Sequence, residues 1–160
     1  MTKIALGLGS NLGDRQNNLT NAITKLSKIL HNITISSILN NKAMLLPESP
    51  KEWNIDFLNC VITAKSDMDP KQLLQEIKKI EQEMGRITKE KWEPRVIDID
   101  ILLYNDLYID TENLTIPHAG LLHRDFAIGL LAEIWSDWKY PVPGEHYQKT
   151  AFELAKRLQK

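Results

Sequence analysis

The sequence predicts an α+β fold with its elements in the order strand–helix–strand–strand–helix–strand, and three observations point to it. Apolar residues alternate in short runs rich in Val, Ile and Thr, the spacing of half-buried strands. Between these runs lie stretches with apolar residues every three to four positions, as an amphipathic helix requires. Turn chemistry marks the junctions: Ser-Asn-Leu-Gly-Asp after the first run, Asp-Pro before the second helical stretch. This order is the split βαβ pattern of a ferredoxin-like βαββαβ sandwich, whose helices cover one sheet face and leave the other available.

Taken in order, "KIALGLGS" reads as the first strand and "SNLGD" as the turn out of it. Arg15 to Leu30 then show helical spacing through Leu19, Ala22, Ile23, Leu26 and Leu30. "NITISSIL" reads as the second strand. Asn40 to Asp56 is irregular, broken by Pro47 and Pro50, and at about 17 residues it exceeds an ordinary connection. "FLNCVITAK" is the third strand. Asp69 and Pro70 open a helix with an acidic cap and proline at the first position, and Gly85 supplies a left-handed stop. Its apolar stripe is Leu73, Leu74, Ile77, Ile80 and Met84. A basic loop leads to the fourth strand, in "WEPRVIDIDILLY", and "YNDLYID" suggests an extra hairpin. "FAIGLLAEIW" adds a further helix and "TAFELAKRLQK" an amphipathic one that could cover the sheet or dock elsewhere, and residues 1–160 are expected to form one domain.

Composition narrows the function classes. Hydrophobic residues at 42% and charged residues at 26% are ordinary for a soluble globular protein. With 20 Lys+Arg against 21 Asp+Glu, bulk charge gives no reason to expect nucleic acid or a membrane surface as partner. No apolar run reaches the ~20 residues of a membrane helix. The single cysteine, Cys60, excludes an intrachain disulfide and makes a reducing cytoplasm the expected setting. Cys60 shares its strand face with Leu58 and Ile62, which favours a core thiol over a nucleophile.

The fourth strand contains an apparent contradiction. Asp98 and Asp100 interrupt its most strand-like segment, although aspartate is depleted in strands. Alternation places both on one face, roughly 6.5–7 Å apart at Cα, with Ile97, Ile99 and Ile101 on the other. Leu102 and Tyr104 are expected to continue the aspartate face. Two carboxylates so placed can converge on hard divalent cations, although a solvated edge strand shows the same alternation. Nearby stand Arg86, Lys89, Lys91, Arg95, His118, His123 and Arg124, a set suited to polyphosphate beside metal ions, while a plain solvated basic loop also accounts for the lysines. On the third strand Phe57 and Asn59 share the face opposite the core, an aromatic plane beside an amide that suits a flat heterocycle. Glu81 sits at the margin of its helix stripe, where it could bind a ribose or an arginine or remain a surface acid. "GLGSNLGD" matches neither the dinucleotide fingerprint nor a P-loop, so Gly7 and Gly9 read as positions of close backbone approach.

Five segments together carry a resemblance over essentially the whole chain: "GLGSNLGDR", "DFLN", "IEQEMGR", "WEPRVIDIDILLY" and "TIPHAGLLHRDF". The sequence resembles the 6-hydroxymethyl-7,8-dihydropterin pyrophosphokinases of the folate pathway. The resemblance implies a ferredoxin-like sandwich that moves the β,γ-pyrophosphoryl group of ATP to the pterin's hydroxymethyl oxygen and releases AMP. It implies that Asp98 and Asp100 bind two Mg²⁺ ions and, with Arg86 and Arg95, form the catalytic set. Arg86, Arg95, His118 and Arg124 are implied to hold the triphosphate, Glu81 to lie near the ribose or the phosphate network, and Ile101 to receive the adenine. Phe57 and Phe126 would sandwich the pterin while Asn59 reads its edge, with Gly9, Leu46 and Asp98 beside it. Trp92 would close over both substrates on a mobile loop, with Lys89 next to it. The chain departs from the family at Glu93, which replaces a glycine, at Thr88, which replaces an arginine, and in a loop shorter by one residue. "NNKAMLLPESPKEW" stands where a threonine–proline stretch is usual. The implied partners are small molecules, and fusion to a neighbouring folate-pathway enzyme occurs in the family. Two rivals use the same aspartates: another two-metal nucleotidyl-transfer enzyme, and a non-catalytic module holding a structural Ca²⁺.

Overall fold

A computed structural model of the chain describes residues 1–43, 45–86, 93–123 and 125–158. The elements run β1 (Thr2–Ser10), α1 (Arg15–Leu26), β2 (His31–Ile35), β3 (Leu39–Asn41), a short 3₁₀ turn (Lys51–Trp53) and β4 (Phe57–Ser66). They continue with α2 (Pro70–Glu83), β5 (Asp98–Tyr104), β6 (Ile109–Asp110), β7 (Thr115–Ile116), α3 (Asp125–Ile134) and α4 (Ala151–Leu158). The main sheet is antiparallel in the order β2-β4-β1-β5, with β3 also paired to β4, and β6 pairs β7 separately.

Both early helices begin where their caps require. The Asp14 side chain accepts from Asn17 N at the start of α1. Asp69 and Gln72 form a reciprocal capping box on α2, and Pro70 occupies its first turn. Gly85 ends α2 at φ +87°, a backbone conformation that favours glycine. α1 stops at Leu26, four residues short of the expected Leu30. The chain there tightens through Ile29 N to Leu26 O and Leu30 N to Leu26 O, which still buries Leu30. The expected second strand divides into β2 and β3 because Ser36 turns inward. Its hydroxyl accepts from Val61 N at 2.8 Å, and its own N–H donates to Val61 O.

Two cores flank the sheet. On one face Leu19, Ala22 and Leu26 of α1 and Leu73, Ile77 and Ile80 of α2 pack against Ile4, Leu6, Leu8, Cys60, Ile62, Ile97, Ile99 and Ile101. Each such Leu or Ile, fully buried, contributes on the order of 2 kcal/mol. The other face is not left open, contrary to the sequence expectation. Ala127, Ile128, Leu130 and Leu131 of α3 and Leu154 and Ala155 of α4 cover Ala5, Val61 and Leu103. The end of this face near Gly7 and Gly9 keeps a cleft.

A bulge corrects a second expectation. β5 pairs Leu6 with Ile101 but Ala5 with Leu103, so Leu102 is an extra residue. The insertion reverses the alternation beyond it. Leu102 and Leu103 both join the α3–α4 core, and Tyr104 packs into the α1–α2 core with its hydroxyl donating to Met68 O. Tyr104 therefore does not continue the aspartate face.

Candidate active site

The cleft is organised by strand register. Gly9 of β1 pairs with Asn59 of β4 on one side and Asp98 of β5 on the other; Gly7 likewise pairs with Val61 and Asp100. Directly paired residues point to one face of a sheet, so Asn59, Gly9 and Asp98 form a row across three strands. The glycines have a reason to be glycine. A Cβ at Gly9 would stand 2.7 Å from Asn59 Oδ1 and 3.3 Å from Phe57 Cδ1, and one at Gly7 would press on Leu102 at 3.4 Å. The cleft wall adds His118, Gly120, Phe126 and Ala127.

Charge gathers at the β5 end. Asp98 Oδ1 accepts from Arg86 Nη1 at 3.1 Å and from Arg95 Nη1 at 3.3 Å. Arg86 also pairs with Glu81, whose Oε2 accepts the Ile99 N–H at 3.0 Å. Glu81 is only 3% exposed, so it is no surface acid. It fastens α2 to β5 and holds Arg86 against Asp98. Arg95 Nε is buried and finds no acceptor among the described residues. The His118 ring is oriented by the Gly120 N–H, which donates to its Nδ1 at 2.9 Å. In the neutral ring the proton then sits on Nε2, which lies 3.7 Å from Asp100 Oδ1.

Asp98 and Asp100 fit a hard divalent cation. Both side chains are partly exposed on one face, and Asp98 Oδ2 accepts no hydrogen bond from the described residues. No group of three or more His, Cys, Asp or Glu side chains converges among the described residues. A carboxylate pair leaves the remaining coordination positions to phosphate oxygens and water, which is how Mg²⁺ is commonly held.

The cleft thus brings together Gly9, Asn59, Asp98, Asp100, His118 and Phe126, with Phe57 against Gly9 and Arg86 and Arg95 on Asp98. Leu46 stands apart, half exposed in a turn closed by Ser49 N to Leu46 O. The Ile101 side chain lies in the α1–α2 core, on the face opposite the aspartates. Lys89, Trp92 and Arg124 lie outside the described residues, as do Thr88 and Lys91.

Sequence reasoning missed three residues that set this geometry. Asn11, fully buried, accepts the Arg95 N–H at 2.7 Å and donates to Ile55 O at 3.1 Å, joining the chain before β4 to the chain before β5. Arg15 donates to Asn40 Oδ1 and Asp56 O, closing the irregular segment across its base. Asn41 Oδ1 accepts from Asn59 Nδ2 at 3.0 Å. The available signal was polar residues flanking short strands at Ser10-Asn11 and Asn40-Asn41, which alone does not reveal a partner.

Residues 5–136 match the family model described as 7,8-dihydro-6-hydroxymethylpterin-pyrophosphokinase (HPPK). The chain belongs to the HPPK family. A 2-amino-4-hydroxy-6-hydroxymethyldihydropteridine pyrophosphokinase of Aquifex aeolicus is 42% identical over 146 residues, covering 89% of this chain and 86% of that protein. A folate synthesis bifunctional protein of Chlamydia caviae is 41% identical over 158 residues, covering 97% of this chain. The chain spans 35% of that relative's length, about a third. The fold agrees with a crystal structure of Plasmodium falciparum HPPK-DHPS with SDX-DHP, at a TM-score of 0.67 and 19% identity over 98% of this chain and 43% of that one. That likeness extends to the fold alone. Among the described residues no helix is long and apolar enough to cross a membrane.

Proposed function

We propose that this HPPK-family chain transfers the β,γ-pyrophosphoryl group of ATP to the hydroxymethyl oxygen of 6-hydroxymethyl-7,8-dihydropterin and releases AMP. One observation carries the reading: Gly9, which adds no side chain of its own, stands in one row between an amide and an aromatic ring at one end and a carboxylate under two guanidiniums at the other. The fold supports it as well. The order β2-β4-β1-β5, with one helix after β1 and another after β4, supports a ferredoxin-like sandwich as its frame.

Each group has a role that its position supports. Asp98 and Asp100 hold two Mg²⁺ ions, which when bound neutralise phosphate charge and polarise the phosphorus under attack. Arg86 and Arg95 turn their guanidinium forks to the triphosphate, and Arg95 Nε gains in a phosphate oxygen the acceptor it otherwise lacks. His118 donates from Nε2 beside Asp100. Glu81 acts through Arg86 and does not touch the nucleotide. Phe57 and Phe126 take the pterin between them, and Asn59 reads its edge. Ile101 reaches an adenine only through its main chain, since its side chain is in the core. By resemblance Arg124 and Lys89 add charge to the phosphates, and Trp92 closes the site. Alignment and charge neutralisation, the two effects that dominate phosphoryl-type transfer, are what this set of residues supplies.

The deciding experiment incubates the protein with ATP, Mg²⁺ and the hydroxymethyldihydropterin and resolves the products by chromatography. Pterin diphosphate and AMP in equal amounts are expected. Release of inorganic pyrophosphate would replace the reading with nucleotidyl transfer, and an unchanged nucleotide would leave a binding module.

A further inference from the structure

An asparagine amide can read a heterocycle in either of two senses, with its oxygen toward the ligand as acceptor or its nitrogen as donor. At Asn59 the structure chooses. Asn41 of β3 is paired with Phe57, and Leu39 with Asn59, so Asn41 and Asn59 share one face as diagonal neighbours. Asn59 Nδ2 donates to Asn41 Oδ1 at 3.0 Å, which turns the nitrogen toward β3. The oxygen then lies over Gly9, where an added Cβ would meet it at 2.7 Å. Among the described residues Asn59 Oδ1 accepts no hydrogen bond. An acceptor is therefore presented on the cleft floor beside the Phe57 ring, with the amide nitrogen engaged by Asn41.

We propose that Asn41 is a specificity-determining residue. By holding the Asn59 nitrogen it fixes the Asn59 oxygen as an acceptor, so the cleft selects flat heterocycles that present an N–H donor edge. This rests on the pterin reading and deepens it. The 2-amino group and adjoining ring N–H of the pterin are such an edge. A ring with a carbonyl in place of the 2-amino group keeps the adjoining ring N–H but loses the amino donors and brings a second oxygen beside that of Asn59. A site built around one hydrogen-bond polarity penalises the mismatched group because a buried polar atom is left unpaired.

The test measures binding to the native chain, Asn41→Asp and Asn41→Leu by titration calorimetry. The ligands are 6-hydroxymethyl-7,8-dihydropterin and its 2-oxo analogue, with MgATP affinity and Tm recorded alongside. Aspartate keeps an acceptor facing Asn59 Nδ2, whereas leucine fills similar space with none. The native chain should prefer the amino ring by about tenfold or more. Asn41→Leu should bind that ring about tenfold more weakly and lose the preference, with MgATP affinity and Tm little changed. Asn41→Asp should restore the preference. A preference that survives Asn41→Leu, or a loss matched by Asn41→Asp, overturns the role of Asn41 while leaving the pterin site intact. A native chain that binds neither ring overturns the pterin reading itself.

Discussion

Asp98 draws two guanidinium groups onto a single carboxylate oxygen, so its charge can be tested apart from its shape. Asp98→Asn or Asp100→Asn should lower the rate of AMP formation by at least about 10²-fold, the scale lost when a transition-state electrostatic partner is removed. Circular dichroism should show the fold retained. Cys60 gives a second prediction, in stability. Burial pushes its thiol from the ordinary 9.0 up to about 11. Between those values the unfolded chain loses a proton that the folded chain keeps. Its contribution is therefore whole below pH 9 and declines as the pH rises toward 11, by at most about 2–3 kcal/mol. Urea melts should show this slope, and Cys60→Ala should flatten it. The sharing of one face by Asp98 and Asp100, and by Phe57 and Asn59, was legible because alternation is a local property. The partners of Asn11 and Glu81 were not: Asn11 meets Arg95 across 84 positions and Glu81 meets Ile99 across 18.

At the scale of elements, α2 and β5 are joined through Glu81. Glu81→Ala would leave the Ile99 N–H unpaired in the interior and Arg86 without its buried partner, a loss of about 3 kcal/mol. Glu81→Gln keeps an acceptor for Ile99 and should cost about 1 kcal/mol. Both should slow turnover, because Arg86 loses its anchor; urea denaturation beside steady-state assays separates the two effects. The span of α2 was readable, since Asp69, Pro70 and Gly85 act through neighbouring backbone. The bulge at Leu102 was not. Nothing near "DILLY" marks the extra residue, whose effect is to turn Leu103 to one core and Tyr104 to the other.

For the whole molecule, the second layer of helices is the largest departure from the sequence expectation. "FAIGLLAEIW" was recognisable as a helix, but its apolar residues do not name the surface they cover. Ala5, Val61 and Leu103 supply that surface, and the last of these faces α3 and α4 only because of the bulge. Leu154→Ala, at the α4 contact, should cost about 2–5 kcal/mol by opening a cavity, while pterin affinity of the folded fraction stays the same. The row through Gly9 then has a consequence for size. Asn59 and Asp98 lie two strand spacings apart, about 9.5 Å, and that interval is fixed by the hydrogen-bond ladder of β4, β1 and β5. Loops can open or shut above it without stretching it. The sheet serves as a rigid gauge: a molecule too short to bridge the two ends cannot engage both at once, whatever its affinity for either.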